Sequence, residues 1–164
     1  MESAYVGIGS NIGDKIDNCR SAIARMGRLK GCSVKLQSPF YRTEPVGVEG
    51  QDYFLNGVVC LDTDLSAATL LNHLLNIETE MGRVRRKKWD ARVIDLDILL
   101  FGSQIIEKPD LMIPHPLMHT RRFVLTPLVR IAPGLIHPIL CKSVRELEEA
   151  LPLKGQAVEI YERS

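Results

Sequence analysis

Ile12, Ile16, Cys19, Ile23 and Met26 recur at spacings of four, three, four and three. This is one apolar stripe, and it predicts an amphipathic helix. Before it, Tyr5 to Ile8 reads as a short strand entering a glycine-rich turn; after it, Gly31 helps to end the segment. Val34 to Tyr41 predicts a second strand, and Pro45, Gly47 and Gly50 mark a loop. Phe54 to Leu61 predicts a third strand, closing in the polar turn Asp62-Thr63-Asp64. Ser66 is placed to cap a second helix with the stripe Ala67, Leu70, Leu74, Ile77 and Met81, and Gly82 sits where a helix commonly stops. An apolar strand carrying Asp95-Leu-Asp97 follows. Pro114 and Pro116 hold the next segment extended, and Thr126-Pro127 predicts the start of a short helix with proline at its first position. Ser143-Val-Arg-Glu146 matches a capping box, with Leu147 and Leu151 beyond it on one face.

The order strand-helix-strand-strand-helix-strand predicts an α+β fold. The expected core is a ferredoxin-like βαββαβ sandwich, helices on a largely antiparallel sheet, with extra C-terminal elements. No repeat, low-complexity tract or composition break divides the 164 residues, which read as a single domain over 1–164. A net charge of +1 argues against global attraction to nucleic acid or an anionic membrane, so any basic function is local. Cys19, Cys32, Cys60 and Cys141 form no CxxC pair and read as mostly buried reduced thiols. With no signal-like N-terminus and no apolar run of membrane-span length, the chain is expected to be cytoplasmic, and a monomer.

The candidate chemistry concentrates where a basic run meets an acidic strand. Six basic residues and one acid, Asp90, lie between Arg83 and Arg92 around Trp89. Asp95 and Asp97 then interrupt the apolar run of Val93, Ile94, Leu96 and Ile98 to Leu100. Two residues apart on a strand, the carboxylates point the same way while Leu96 and Ile98 point the other. Their repulsion is relieved by a hard divalent cation such as Mg²⁺, which takes one or two carboxylates plus phosphate oxygens. A solvated strand face is the structural alternative, and aspartate is a poor strand former. A basic run is ordinarily solvated surface; beside an acidic metal site it suits a polyphosphate, with Trp89 offering a flat face to a planar ring. No GxxxxGK[ST] loop occurs, and Ile12 stands where a dinucleotide fingerprint needs its third glycine, which excludes both familiar phosphate motifs. Gly7 and Gly9 instead permit close approach of a ligand or backbone. His115 lies between two prolines, with His119, Arg121 and Arg122 following as a second cationic wall. His73 and His137 receive no role. Phe54 and Asn56 share a strand face and suit a planar heterocycle, the ring stacking and the carboxamide bonding its edge.

Taken in order, Val6-Gly-Ile-Gly-Ser-Asn11, Phe40-Tyr-Arg-Thr43, Phe54-Leu-Asn56, Arg92-Val-Ile-Asp-Leu-Asp97, Ile113-Pro-His115, Arg122 to Leu128 and Ile131-Ala-Pro133 resemble the 6-hydroxymethyl-7,8-dihydropterin pyrophosphokinase family of folate biosynthesis. The likeness covers nearly the whole chain, the last twenty residues being least distinctive. It implies transfer of pyrophosphate from ATP to the pterin hydroxymethyl group, with release of AMP. It implies that Asp95 and Asp97 bind two Mg²⁺ ions, that Arg83 and Arg92 grip phosphates on a closing loop, and that Trp89 seals the site. Nucleotide contacts would come from Glu78, Arg85, Ile98, His115 and Arg121, alongside Trp89. Phe54 and Phe123 would sandwich the pterin, with Asn56 and the segment of Thr43, Pro45 and Val46 reading its edge. Departures from the family pattern are Asp90 where a small residue is usual, Phe54 where tyrosine is also common, Pro116 where some members carry an aromatic, and Leu75 where some carry an amide. Two rivals remain at this level: another metal-dependent nucleotidyl or phosphoryl transferase, and an RNA-binding α+β module. The second needs exposed sheet aromatics in an RNA-binding pattern, and the nine Phe, Trp and Tyr residues show none.

Overall fold

β1 (Glu2–Ser10) alternates its side chains between two apolar layers, which fixes the architecture around it. The computed structural model of the chain describes residues 1–44, 52–82, 93–152 and 156–161. Ala4, Val6 and Ile8 of β1 enter one core, together with Leu55, Val59 and Leu61 of β4 (Phe54–Thr63) and Leu96 and Ile98 of β5 (Asp95–Phe101). Helices α1 (Lys15–Gly27) and α2 (Ala67–Glu80) cover that face with Ile16, Cys19, Ile23, Leu70, Leu74 and Ile77. Tyr5, Val58, Leu99 and Leu100 face the opposite layer, covered by α3 (Arg122–Ile131) and α4 (Val144–Glu149). Burying each such aliphatic side chain contributes about 1.5–3 kcal/mol, so both sheet faces need their cover.

The sheet runs β5-β1-β4-β3-β8, with β2 (Cys32–Gln37) and β3 (Tyr41–Thr43) sharing one edge of β4 and β8 (Val158–Ile160) added outside β3. All its pairings are antiparallel among the described residues. This is the expected βαββαβ order with one strand divided. The predicted strand Val34–Tyr41 breaks at Ser38-Pro39. Proline has no N–H to offer a ladder, and the Ser38 hydroxyl steps in to accept Val58 N at 2.9 Å. A short hairpin, β6 (Ile106–Lys108) with β7 (Leu111–Ile113), follows β5.

The caps at α2 and α4 follow the sequence reading. The Ser66 hydroxyl accepts Thr69 N at 3.1 Å, and Ser143 and Glu146 exchange both bonds of the capping box. Gly82, at φ 94°, takes the left-handed conformation after α2 that a side chain would resist. Three expectations are corrected. Ile12 lies outside α1 and is 43% exposed, because Asp14 caps the helix two residues later. The helix ends at Gly27 rather than running on toward Gly31. Pro127 lies inside α3 instead of at its first position. A proline there costs about 3 kcal/mol, and burial of Val124, Leu125 and Leu128 against the sheet offsets it. The segment after Pro114 is also not extended throughout: Ile113–Pro114 is a cis peptide, and Met118–Thr120 forms a 3₁₀ turn. Cys19 and Cys60 are buried, Cys32 is partly so, and Cys141 is exposed. No helix among the described residues is long and apolar enough to cross a membrane.

Candidate active site

The strand period places Asp95 and Asp97 on the α3 side of the sheet, while Leu96 and Ile98 pack beneath α1 and α2. Asp97 is exposed and Asp95 partly so. Directly across the ladder, Gly9 pairs with Asp95 and Gly7 with Asp97. On their other side Gly9 pairs with Asn56 and Gly7 with Val58. Paired residues share a face, so the side-chain-free Gly9 separates Asp95 from Asn56, and Gly7 separates Asp97 from Val58. The close approach concerns Asn56: a Cβ built on Gly9 would meet Asn56 Oδ1 at 2.8 Å.

Asn56 itself is oriented. Its Nδ2 donates to Thr43 Oγ1 at 2.7 Å, both groups being buried. Thr43 pairs with Phe54 and Tyr41 with Asn56, which brings all four to this face. Thr43 enters the sequence reading through its backbone; the bond from Asn56 to its hydroxyl has no sequence signal, because it depends on pairing across thirteen residues.

β5 is an edge strand, and its outward groups are tied down from two directions. Leu96 N donates to Glu78 Oε2 at 2.8 Å, and His115 N donates to Leu99 O at 2.9 Å. The second bond sets the imidazole beside Asp97. Burial pulls the His115 pKa below its ordinary value; the Asp97 carboxylate opposes that drop and the Arg121 guanidinium adds to it. His115 Nδ1 accepts Leu117 N at 3.1 Å, which leaves Nε2 to carry the proton of the neutral ring. Arg121 precedes α3, with its guanidinium carbon 5.6 Å from the Phe123 ring centroid.

Other candidates sit differently. Glu78 is buried at 3% exposure and bonds the β5 backbone from beneath. Ile98 is buried in the core under the helices, so its side chain does not join the acidic face. Arg83, Arg85, Trp89, Asp90, Arg92, Pro45 and Val46 lie outside the described residues. Among the described residues no cluster of three or more His, Cys, Asp or Glu could hold a metal by itself. A pair of carboxylates is a donor set that leaves coordination positions for phosphate oxygens and water, which fits Mg²⁺.

The family model for 7,8-dihydro-6-hydroxymethylpterin-pyrophosphokinase (HPPK) matches residues 5–133. Two proteins named 2-amino-4-hydroxy-6-hydroxymethyldihydropteridine pyrophosphokinase are similar over almost their whole length. The Haemophilus influenzae protein is 40% identical over 94% of this chain and 98% of its own, and that of Methylorubrum extorquens 43% identical over 94% and 97%. The folic acid synthesis protein fol1 of Schizosaccharomyces pombe is 40% identical over 93% of this chain but only 21% of its own length. Among solved structures, wild-type Plasmodium falciparum HPPK-DHPS with pteroate superposes with a TM-score of 0.73, covering 90% of this chain and 42% of that one. At 15% identity that likeness speaks for the fold alone. The match over residues 5–133 and the 40–43% identities across full-length relatives show that the chain belongs to the 7,8-dihydro-6-hydroxymethylpterin-pyrophosphokinase family.

Proposed function

We propose that the chain transfers pyrophosphate from ATP to the hydroxymethyl group of 6-hydroxymethyl-7,8-dihydropterin, with two Mg²⁺ ions held at Asp95 and Asp97. The observation that carries this reading is the shared sheet face. The two carboxylates lie across Gly9 and Gly7 from Asn56 and the strand of Phe54. The acids suit a metal-polyphosphate and the amide and ring suit a pterin, so donor and acceptor meet on one surface.

In the reaction, the pterin hydroxyl oxygen attacks the β-phosphorus, the bond from that phosphorus to the α-phosphate oxygen breaks, AMP leaves and the hydroxyl proton is released. Such transfer needs in-line positioning and charge neutralisation more than covalent help. Asp95 and Asp97 hold the metal, which supplies neutralisation of phosphate charge when bound. His115 and Arg121 bind phosphate oxygens, as do Arg83, Arg85 and Arg92 by family resemblance. Trp89 stacks and excludes water. Phe54 and Phe123 stack on the pterin, and Asn56, held by Thr43, reads its edge. No covalent enzyme intermediate is required. On the same reading the partners are ATP and the pterin, without nucleic acid or membrane, and the protein is a cytoplasmic monomer.

The test is a direct assay with ATP, Mg²⁺ and the pterin, following nucleotide products by phosphorus NMR. AMP formed in step with the pterin diphosphate is the expected result. ADP would indicate a simple kinase and overturn the proposal.

A further inference from the structure

The segment that closes the far edge of the sheet lies beyond the family match at residues 5–133, yet it grips the wall of the site. Gln156 Nε2 donates to Thr120 O at 3.0 Å, and Arg122 N donates to Gln156 Oε1 at 2.8 Å. One carboxamide thus bridges the backbone on both sides of Arg121. Arg122 adds a bond from Nη2 to Pro152 O at 2.7 Å. Two residues after Gln156, β8 pairs with β3 and sets Val158 opposite Thr43, the residue that orients Asn56. Tyr161 N then donates to Phe40 O at 2.8 Å.

The helix explains why this bridge matters. The first N–H groups of any α-helix have no intrahelical partner. At α3 the N-cap residue is Arg121, whose side chain makes no capping bond. The Arg122 amide finds its acceptor instead in Gln156, 34 residues away. We propose that Gln156 is a positioning residue for the pterin-side wall: it caps α3 from outside and fixes the direction in which Arg121 and Phe123 leave the backbone. This inference rests on the reading of the site as a pterin pyrophosphokinase. Deeper in α3, Leu125 and Leu128 are fully buried, so the helix keeps its place without the bridge. What loosens is the first turn, which carries the Phe123 ring.

The test compares Gln156→Met, which keeps the side-chain length and removes both bonds, with Gln156→Glu, which keeps the acceptor for Arg122 N and loses the donor to Thr120 O. In Gln156→Met the pterin KM is expected to rise about tenfold, as loss of two modest hydrogen bonds permits, and the ATP KM is expected to rise with it through Arg121. Gln156→Glu should recover part of the pterin affinity. Amide exchange at Arg122 should accelerate in Gln156→Met and not in Gln156→Glu. An unchanged pterin KM, or unchanged amide exchange at Arg122 in Gln156→Met, would overturn the positioning role. The exchange measurement reads the cap without any turnover, so absence of pterin-dependent AMP formation by the wild-type protein would refute the functional reading separately.

Discussion

Asp97 is exposed on a strand whose neighbours Leu96 and Ile98 are nearly fully buried. A charged group in that setting contributes little to folding, and its loss removes repulsion from Asp95 two residues away. Asp97→Ala should therefore leave the urea unfolding midpoint almost unchanged while lowering AMP formation about 10³-fold, the equivalent of several kcal/mol of charge stabilisation. Near-normal turnover would remove Asp97 from the site. Gly9 makes a different kind of prediction. An alanine there sets a methyl group 2.8 Å from Asn56 Oδ1, closer than such atoms pack. Asn56 must turn, and its bond to Thr43 goes with it. Gly9→Ala should raise the pterin KM about tenfold, with the ATP KM less affected. Steady-state kinetics with each substrate varied in turn decides it. At this scale the sequence was informative wherever a two-residue period sufficed: the shared face of Asp95 and Asp97, and that of Phe54 and Asn56. It pointed to close approach at Gly9 without saying what approaches, because the partner lies on β4, 47 residues on in the chain.

β5 shows what an element adds to its residues. It is the edge of the sheet, and open edges expose unpaired N–H and C=O groups. Here the Glu78 carboxylate takes Leu96 N from α2, and His115 N takes Leu99 O. The strand that presents both aspartates is thus held between them. Reading Glu78 from the sequence placed it in the nucleotide pocket; its bond to Leu96 N gives it a role in holding β5. Glu78→Ala strands a buried N–H and should cost about 2 kcal/mol, read from urea denaturation, with turnover falling because Leu96 lies between the two acids. Glu78→Gln keeps an acceptor and should retain most of the stability. If Glu78→Ala raised only the ATP KM and left stability intact, the pocket role would stand instead. The starts of α2 and α4 were legible because caps are local: Ser66 and Ser143 each bond an amide three residues ahead. The extent of α3 was not. Local preference puts Pro127 at a helix start, and the packing of Val124 and Leu125, a tertiary effect, overrides it.

In the whole molecule, one sheet carries two helical layers, and the chain closes by returning β8 to β3 and folding residues 136–143 beside the 3₁₀ turn. That return was the least legible part, because its bonds join groups more than thirty residues apart and follow no periodicity. The turn over residues 136–143 is local and holds His137, which the sequence left without a role. His137 is 4% exposed, and its Nδ1 accepts backbone N–H groups from Ile139 at 3.2 Å and Leu140 at 3.1 Å. A proton on Nδ1 would displace both. Burial, reinforced by His119 with its ring centroid 6.2 Å away, holds the His137 pKa below the ordinary histidine value. His115 is depressed as well, through burial and Arg121 against the pull of Asp97. In both cases the folded state binds a proton less readily than the unfolded chain, so stability falls wherever the unfolded chain is the more protonated. The contribution is complete above the unfolded histidine value of about 6.5 and is lost as pH falls through it toward the lower folded pKa values. Urea unfolding free energy should accordingly drop between pH 7.5 and about pH 5, before most carboxylates titrate. Replacing His137 by Asn removes one of the two rings whose pKa is depressed and should flatten that slope, whatever it does to stability at pH 7.5. A slope equal to that of the wild type would mean that His137 takes up its proton in the folded protein at no cost, and the double acceptor bond would not be what holds the turn.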